Sequence, residues 1–299
     1  MTGVAAQDAD GRRAMAEQAA TIEQQLRRNA ALYFPNALGK VAPKHVAKEA
    51  SAYARAAVAR GTPLRAKFVI MTRGRAGSGL LVDLLNSHPQ IRCQTELLHD
   101  RMLFPRRYLR ANERLARLPV FGFKLLSYQM IGVQKLASPA GFLHELAGDG
   151  YSVIYLWRRN LLRQILSLLY AAERRSFHSR AGDDIAHTTM RVDPAIVLSW
   201  LEFSTRLGEW ERGVLADLPY VDVNYEDDLS RRAAQQATVA RITTRLGLEP
   251  ALVQSTLKQS TPRALDEFVA NADELRHRLA GTPYAAYLDA PAEQGTHAD

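Results

Sequence analysis

An α/β fold built on a mostly parallel sheet is what this sequence of 299 residues predicts. Three observations lead there. Short apolar runs recur at 66–72, 120–126, 152–157 and 220–225, and runs of that length between turn residues read as buried strands. Helical patterns separate them, at 78–86, 101–118, 138–147, 161–174, 193–215 and 230–246, and such alternation implies βαβ units. The glycines and arginines best suited to chemistry follow strands directly, where parallel sheets place their ligands.

Taken in order, residues 1–60 are rich in Ala, Arg, Gln and Glu, a composition that favours helix, and two helices are expected at 12–32 and 43–60. Pro35, Gly39 and Pro43 punctuate the gap, and Gly61-Thr62-Pro63 closes the segment. We therefore divide the chain into a helical extension (1–64), an α/β domain (65–290) and a disordered tail (291–299). The extension has two open readings, shaping access to the site or forming a homodimer contact. The run AKFVIMT at 66–72 is the first strand, and 73–79 is a glycine-rich turn. Leu80, Leu81, Leu84 and Leu85 then share one helical face, and His88-Pro89 stops that helix because the residue before proline is pushed out of the α region.

Composition narrows the function classes. Apolar residues make up 47% of the chain, enough for a core, and no stretch approaches the ~20 apolar residues of a membrane span. Asp8, Asp10 and Glu17 with no apolar run between them speak against a secretory signal. Cys93 is the single cysteine, so an intrachain disulfide is impossible and a cytoplasmic location is expected. No HExxH pairing or zinc-ribbon spacing occurs, and no metal site is expected. A net charge of +8 favours an anionic partner. The basic residues cluster after strands rather than in a stripe interleaved with aromatics, which counts against nucleic acid.

Two segments fit an anion. Arg73-Gly74-Arg75-Ala76-Gly77-Ser78-Gly79 joins the first strand to a helix. Its glycines permit close backbone approach, and a helix N-terminus offers unpaired N–H groups and the positive end of a dipole. It is not the GxxxxGK[ST] loop of magnesium-nucleotide enzymes, because no lysine follows the last glycine. Taken alone it also reads as a tight turn with solvated arginines. The second segment is Arg158-Arg159-Asn160 at a strand end, with Ser167 eight residues after Arg159. Arginine suits a terminal phosphate because its planar fork donates two hydrogen bonds. Taken alone, this pair also reads as surface arginines and a helix-face serine.

The two segments together, with His88-Pro89, Glu96, Phe121-Gly122-Phe123-Lys124, Tyr225-Glu226-Asp227 and the stretch from Asn271 to Tyr284, occur in an order and spacing that resembles the sulfotransferase superfamily. The likeness is greatest to bacterial carbohydrate sulfotransferases of the trehalose-glycolipid and nodulation-factor type, and spans about residues 66–288. The resemblance implies a P-loop-like fold and the co-substrate 3′-phosphoadenosine 5′-phosphosulfate, which leaves as adenosine 3′,5′-bisphosphate without a metal. It implies that Arg73, Gly74, Arg75, Ala76, Gly77, Ser78 and Gly79 hold the 5′-phosphosulfate, with Arg75 beside the bridging oxygen. It implies that Arg159 and Ser167 bind the 3′-phosphate.

Sulfuryl transfer also needs a base for the acceptor hydroxyl. Glu96 is the first candidate, where related carbohydrate enzymes carry a carboxylate, and His99 is the rival because its ordinary pKa suits neutral pH. Lys124, after a strand, can face the sulfuryl group or the acceptor. Tyr225-Glu226-Asp227 is expected to cap the helix that follows. Arg106, Arg110, Arg114 and Arg117 read as one solvated helix face, Trp200, Phe203 and Trp210 as a core face, and 173–184 as a polar lid. The acceptor is a small molecule, carbohydrate or lipid. Two other readings stand beside this one, a magnesium-nucleotide kinase with an unusual loop and a non-enzymatic protein that binds nucleic acid or other anions.

Overall fold

The computed structural model describes residues 11, 13, 14, 16–25, 40–173, 189–257 and 264–288. The helix α1 (Pro43–Val58) leads into a βα alternation: β1 (Ala66–Thr72), α2 (Ser78–Asn86), β2 (Ile91–Glu96), α3 (Pro105–Arg114), β3 (Val120–Leu126), α4 (Pro139–Gly148), β4 (Tyr151–Trp157), α5 (Leu161–Glu173), α6 (Pro194–Leu215), β5 (Tyr220–Asn224) and α7 (Arg232–Arg245). A last helix, α8 (Ala272–Ala280), follows. The strands form one five-stranded sheet in the order β2-β3-β1-β4-β5, and every pair is parallel. The predicted α/β class with a parallel sheet flanked by helices is the one observed.

Both faces of the sheet are covered, which explains why its central strands read as unbroken apolar runs. Successive side chains alternate between the faces. Val69 and Met71 of β1, Phe121 and Phe123 of β3, and Val153 and Tyr155 of β4 join one core with residues of α1, α3, α4, α5, α6 and α8. Phe68 and Ile70 of β1, with Ile154 and Leu156 of β4, join the other with α2 and α7. Gly122 of β3 lies under the Phe68 ring, where a Cβ would come within 2.1 Å of it. This is the packing reason for glycine between Phe121 and Phe123.

The strand order also places a crevice. The chain leaves β1 toward β2 and β3 on one side, then crosses to β4 and β5 on the other. Neighbouring strands whose connections run opposite ways leave a gap at their carboxyl ends, here between β1 and β4, and ligands of open α/β sheets bind there.

Several elements differ from the sequence expectation. β2 was not foreseen, because IRCQTE is polar; only Ile91 and Cys93 point into the core of this edge strand. Helix α3 is shorter than 101–118, starting where Pro105 supplies a helical first residue and leaving 97–104 as a loop. π-helical turns at Gln129–Val133 and Tyr225–Leu229 and the helix α8 were likewise not foreseen. The expected helix at 12–32 is helical over its described residues, 13, 14 and 16–25. The lid beyond Glu173 and the tail at 291–299 lie outside the described residues. No helix among the described residues is long and apolar enough to cross a membrane.

Candidate active site

The loop after β1 is held open by backbone geometry. Arg75 has φ +63°, uncommon for a residue with a side chain, and Gly77 has φ +91° at the N-cap of α2. Gly77 tolerates no Cβ, which would lie 2.3 Å from the Tyr225 ring. No side chain caps α2, so its first N–H groups face the loop. The amide of Gln164, buried on α5, donates to the Gly74 carbonyl at 2.7 Å and fixes the loop from the far side of the crevice.

The two loop arginines have separate surroundings. Arg73 turns into the protein, where its Nε donates to Glu211 Oε2 at 2.8 Å and its Nη1 to the Ser204 carbonyl at 2.7 Å. Glu211 is fully buried in α6 and also accepts from the Tyr155 hydroxyl at 2.8 Å. Burial alone would lower the Arg73 pKa, but the Glu211 carboxylate reverses this and raises it. Arg75 instead reaches across the crevice, and its Nε donates to Ser167 Oγ at 3.0 Å. Two residues 92 apart in sequence, expected at two separate anion-binding segments, thus meet across the β1–β4 gap. Burial and the neighbouring Arg158 bring the Arg75 guanidinium down to about 10.

The adjacent arginines after β4 diverge. Arg158 is buried, its Nη1 donates to the Arg75 carbonyl at 3.3 Å, and its guanidinium lies 4.7 Å from the Tyr225 ring centre. Arg159 is more than half exposed and pairs with Asp227. The Glu226 carboxylate accepts from the backbone N–H groups of Arg159 (2.8 Å) and Asn160 (3.0 Å), and the Asn160 side chain caps α5 through the Arg163 N–H at 2.9 Å. Tyr225-Glu226-Asp227, read from sequence as a cap for the following helix, therefore packs on the loop after β1 and the turn after β4 instead. The Asp227 N–H does bond the Asn224 side chain, at 3.2 Å.

On the other side of β1, Glu96, Lys124 and His99 form one cluster. The register sets Glu96 of β2 beside Lys124 of β3, and Lys124 beside Ile70 of β1, all near the carboxyl edge. Lys124 Nζ lies 2.9 Å from Glu96 Oε1, and His99 Nδ1 lies 3.3 Å from Oε2. A fourth member escaped the sequence reading. Buried Gln129 accepts from the Leu126 N–H at 3.1 Å, which orients its amide to donate to Glu96 Oε2 at 2.8 Å. Burial would raise the Glu96 pKa; the His99 hydrogen bond and then Lys124 overcome it and bring the carboxyl down to about 2. The same contact raises His99 above its ordinary 6.5.

Gln129, Gln164 and Arg158 carried no signal of their own. Gln129 sits in an unforeseen π-turn, Gln164 is one polar residue in an apolar helix, and Arg158 differs from Arg159 only in where the chain turns after Trp157. Helix α1 reaches this side too. The buried Glu49 carboxylate accepts from the N–H groups of Leu103 and Phe104, each at 2.9 Å, and Lys48 pairs with Asp100 at 2.7 Å, which fastens the loop that carries His99. Among the described residues no three of His, Cys, Asp and Glu are grouped to hold a metal ion.

Comparison with known proteins adds a relationship of moderate depth. No family model matches the chain. It is 28% identical over 250 residues to nodulation protein H of Rhizobium meliloti (strain 1021), covering 74% of this chain and 94% of that protein. It is 26% identical over 249 residues to nodulation protein H of Rhizobium tropici, covering 76% and 96%. The similarity therefore runs nearly the whole length of those proteins and about three quarters of this chain.

Proposed function

We propose that this protein is a sulfotransferase that moves a sulfuryl group from 3′-phosphoadenosine 5′-phosphosulfate to a hydroxyl of a carbohydrate, glycolipid or secondary metabolite. The observation that carries this reading is the contact of Arg75 with Ser167 across the β1–β4 crevice. It joins the two segments whose spacing resembles the sulfotransferases, at the switch point where nucleotides bind open α/β sheets. Near full-length similarity to proteins named nodulation protein H supports the same direction, since the motif resemblance is to sulfotransferases of that type.

In this reading the loop 73–79 and the N-terminus of α2 receive the phosphosulfate. Arg75 faces the bridging oxygen, and Ser167 with Arg159 receives the 3′-phosphate. Glu96 takes the proton from the acceptor hydroxyl as its oxygen bonds to sulfur. The bond from sulfur to the bridging oxygen breaks, and adenosine 3′,5′-bisphosphate leaves with its new negative charge against Arg75 and the helix N–H groups. Fixed donors aimed at the developing charge supply most of the rate in such displacements. In this reading Lys124, paired with Glu96, also faces the sulfuryl oxygens and neutralises their charge.

The test is a transfer assay with sulfur-labelled donor against a panel of glycolipid and carbohydrate acceptors. Labelled product and adenosine 3′,5′-bisphosphate should form together without added magnesium. Glu96→Gln should lower turnover by ~10²–10⁴ while leaving nucleotide affinity unchanged. Transfer of the γ-phosphate from magnesium ATP to the same panel, with no sulfuryl transfer, would contradict the proposal and favour a kinase.

A further inference from the structure

We infer that Arg158 is a second cation of the loop after β1 and binds the 5′-side phosphosulfate, while its neighbour Arg159 does not reach that group. The assignment rests on the donor reading above and adds to it a residue that the motif spacing does not mark.

Arg158 is the first residue beyond β4, and β4 lies beside β1 with Thr72 opposite Leu156. The two chains therefore enter their loops side by side, and Arg158 Nη1 reaches the carbonyl of Arg75 at 3.3 Å. The guanidinium stacks on the Tyr225 ring at 4.7 Å, and the same ring presses on Gly77, where a Cβ would approach to 2.3 Å. Loop, ring and arginine form one layered unit. A flat guanidinium on an aromatic face is pre-organised, so little rotamer freedom remains to be lost when a ligand arrives.

Charge completes it. Arg158 holds the Arg75 carbonyl, and it lies close enough to the Arg75 guanidinium to add to burial in lowering that group's pKa. The Glu226 carboxylate stands 3.6 Å from Arg158 Nε, an ion-pair distance without a hydrogen bond, and accepts instead from the Arg159 and Asn160 N–H groups. Two cations in a partly dry crevice attract an anion of more than one charge far better than one does. Arg159, by contrast, points to Asp227 on the β5 side.

The experiment is a calorimetric titration of adenosine 5′-monophosphate, adenosine 3′-monophosphate and adenosine 3′,5′-bisphosphate into wild type, Arg158→Gln and Arg158→Lys. Arg158→Gln should weaken the 5′-monophosphate and the bisphosphate by the same factor, about tenfold to a hundredfold, and leave the 3′-monophosphate unchanged. Arg158→Lys keeps the charge without the flat fork and should recover part of the loss; if the glutamine variant does not fold, the lysine variant carries the same comparison. A loss confined to the 3′-phosphate ligands, or equal affinities of wild type and variants, would overturn the assignment and leave the donor reading standing. A wild type that binds none of the three would overturn both.

Discussion

At the scale of single residues, the choice of base turns on Glu96 and His99, which share a hydrogen bond and shift in opposite directions. A carboxylate at about 2 is ionised throughout the useful range and ready to accept a proton. A histidine raised above 6.5 by that carboxylate holds its proton to higher pH than a free imidazole, and it must lose that proton before it can serve as a base. Glu96 as base predicts that kcat/KM holds as pH falls from 7 to about 4, because the free enzyme's base does not titrate there. His99 as base predicts an acid limb above 6.5 instead, so a rate profile from pH 4 to 9 separates them. The pair also affects stability. The depressed Glu96 contributes stability that is present above its unfolded pKa and lost as pH falls toward 2. The raised His99 contributes stability that is present below 6.5 and lost as pH rises through its folded pKa. Glu96 was picked out by the family resemblance, His99 by its ordinary pKa and Lys124 by its place after a strand, and the structure brings the three side chains together. Sequence concealed Gln129, which matters only because the Leu126 N–H sets its amide.

At the scale of elements, the loop after β1 is fastened to two helices by polar contacts that no periodicity encodes. Gln164 ties it to α5, and Arg73 ties it to α6. Arg73 looked from sequence like an anion ligand, and the structure sets its side chain on Glu211 and leaves its backbone in the loop. Gly208 of α6 makes room for this, since a Cβ there would lie 2.4 Å from Arg73 Nη2. Removing one partner of a buried ion pair leaves an uncompensated charge. Glu211→Ala should therefore destabilise the fold by about 3–5 kcal/mol, measured by denaturant unfolding, and weaken nucleotide binding in whatever fraction stays folded. β1, β3 and α2 were legible to the residue because apolar runs and the His88-Pro89 stop bound them. β2 was not, because an edge strand exposes half its side chains and carries Arg92, Gln94 and Glu96. The span of α3 was overestimated because its arginine spacing continued past the point where the chain leaves the helix, at Arg114.

At the scale of the whole molecule, the carboxyl edge of the sheet collects most of the candidate groups. In strand order it runs from Glu96 on β2 and Lys124 on β3 to the loop after β1, then Arg158 after β4 and Tyr225 after β5. The Glu96–Lys124 cluster and the arginines of the crevice thus flank β1, and the proposed sulfuryl transfer requires a donor lying across that edge. In the proposed reading this edge recognises a nucleotide by its two separate phosphates. The measurement that tests it most directly is the thermal shift of wild type and Ser167→Ala with adenosine 3′,5′-bisphosphate, adenosine 5′-monophosphate, and ATP with magnesium. Ligand at 100 times its dissociation constant stabilises a native state by about 2.7 kcal/mol. The account predicts the largest shift with the bisphosphate, without metal, reduced in Ser167→Ala. A shift with magnesium ATP and none with the bisphosphate would contradict it.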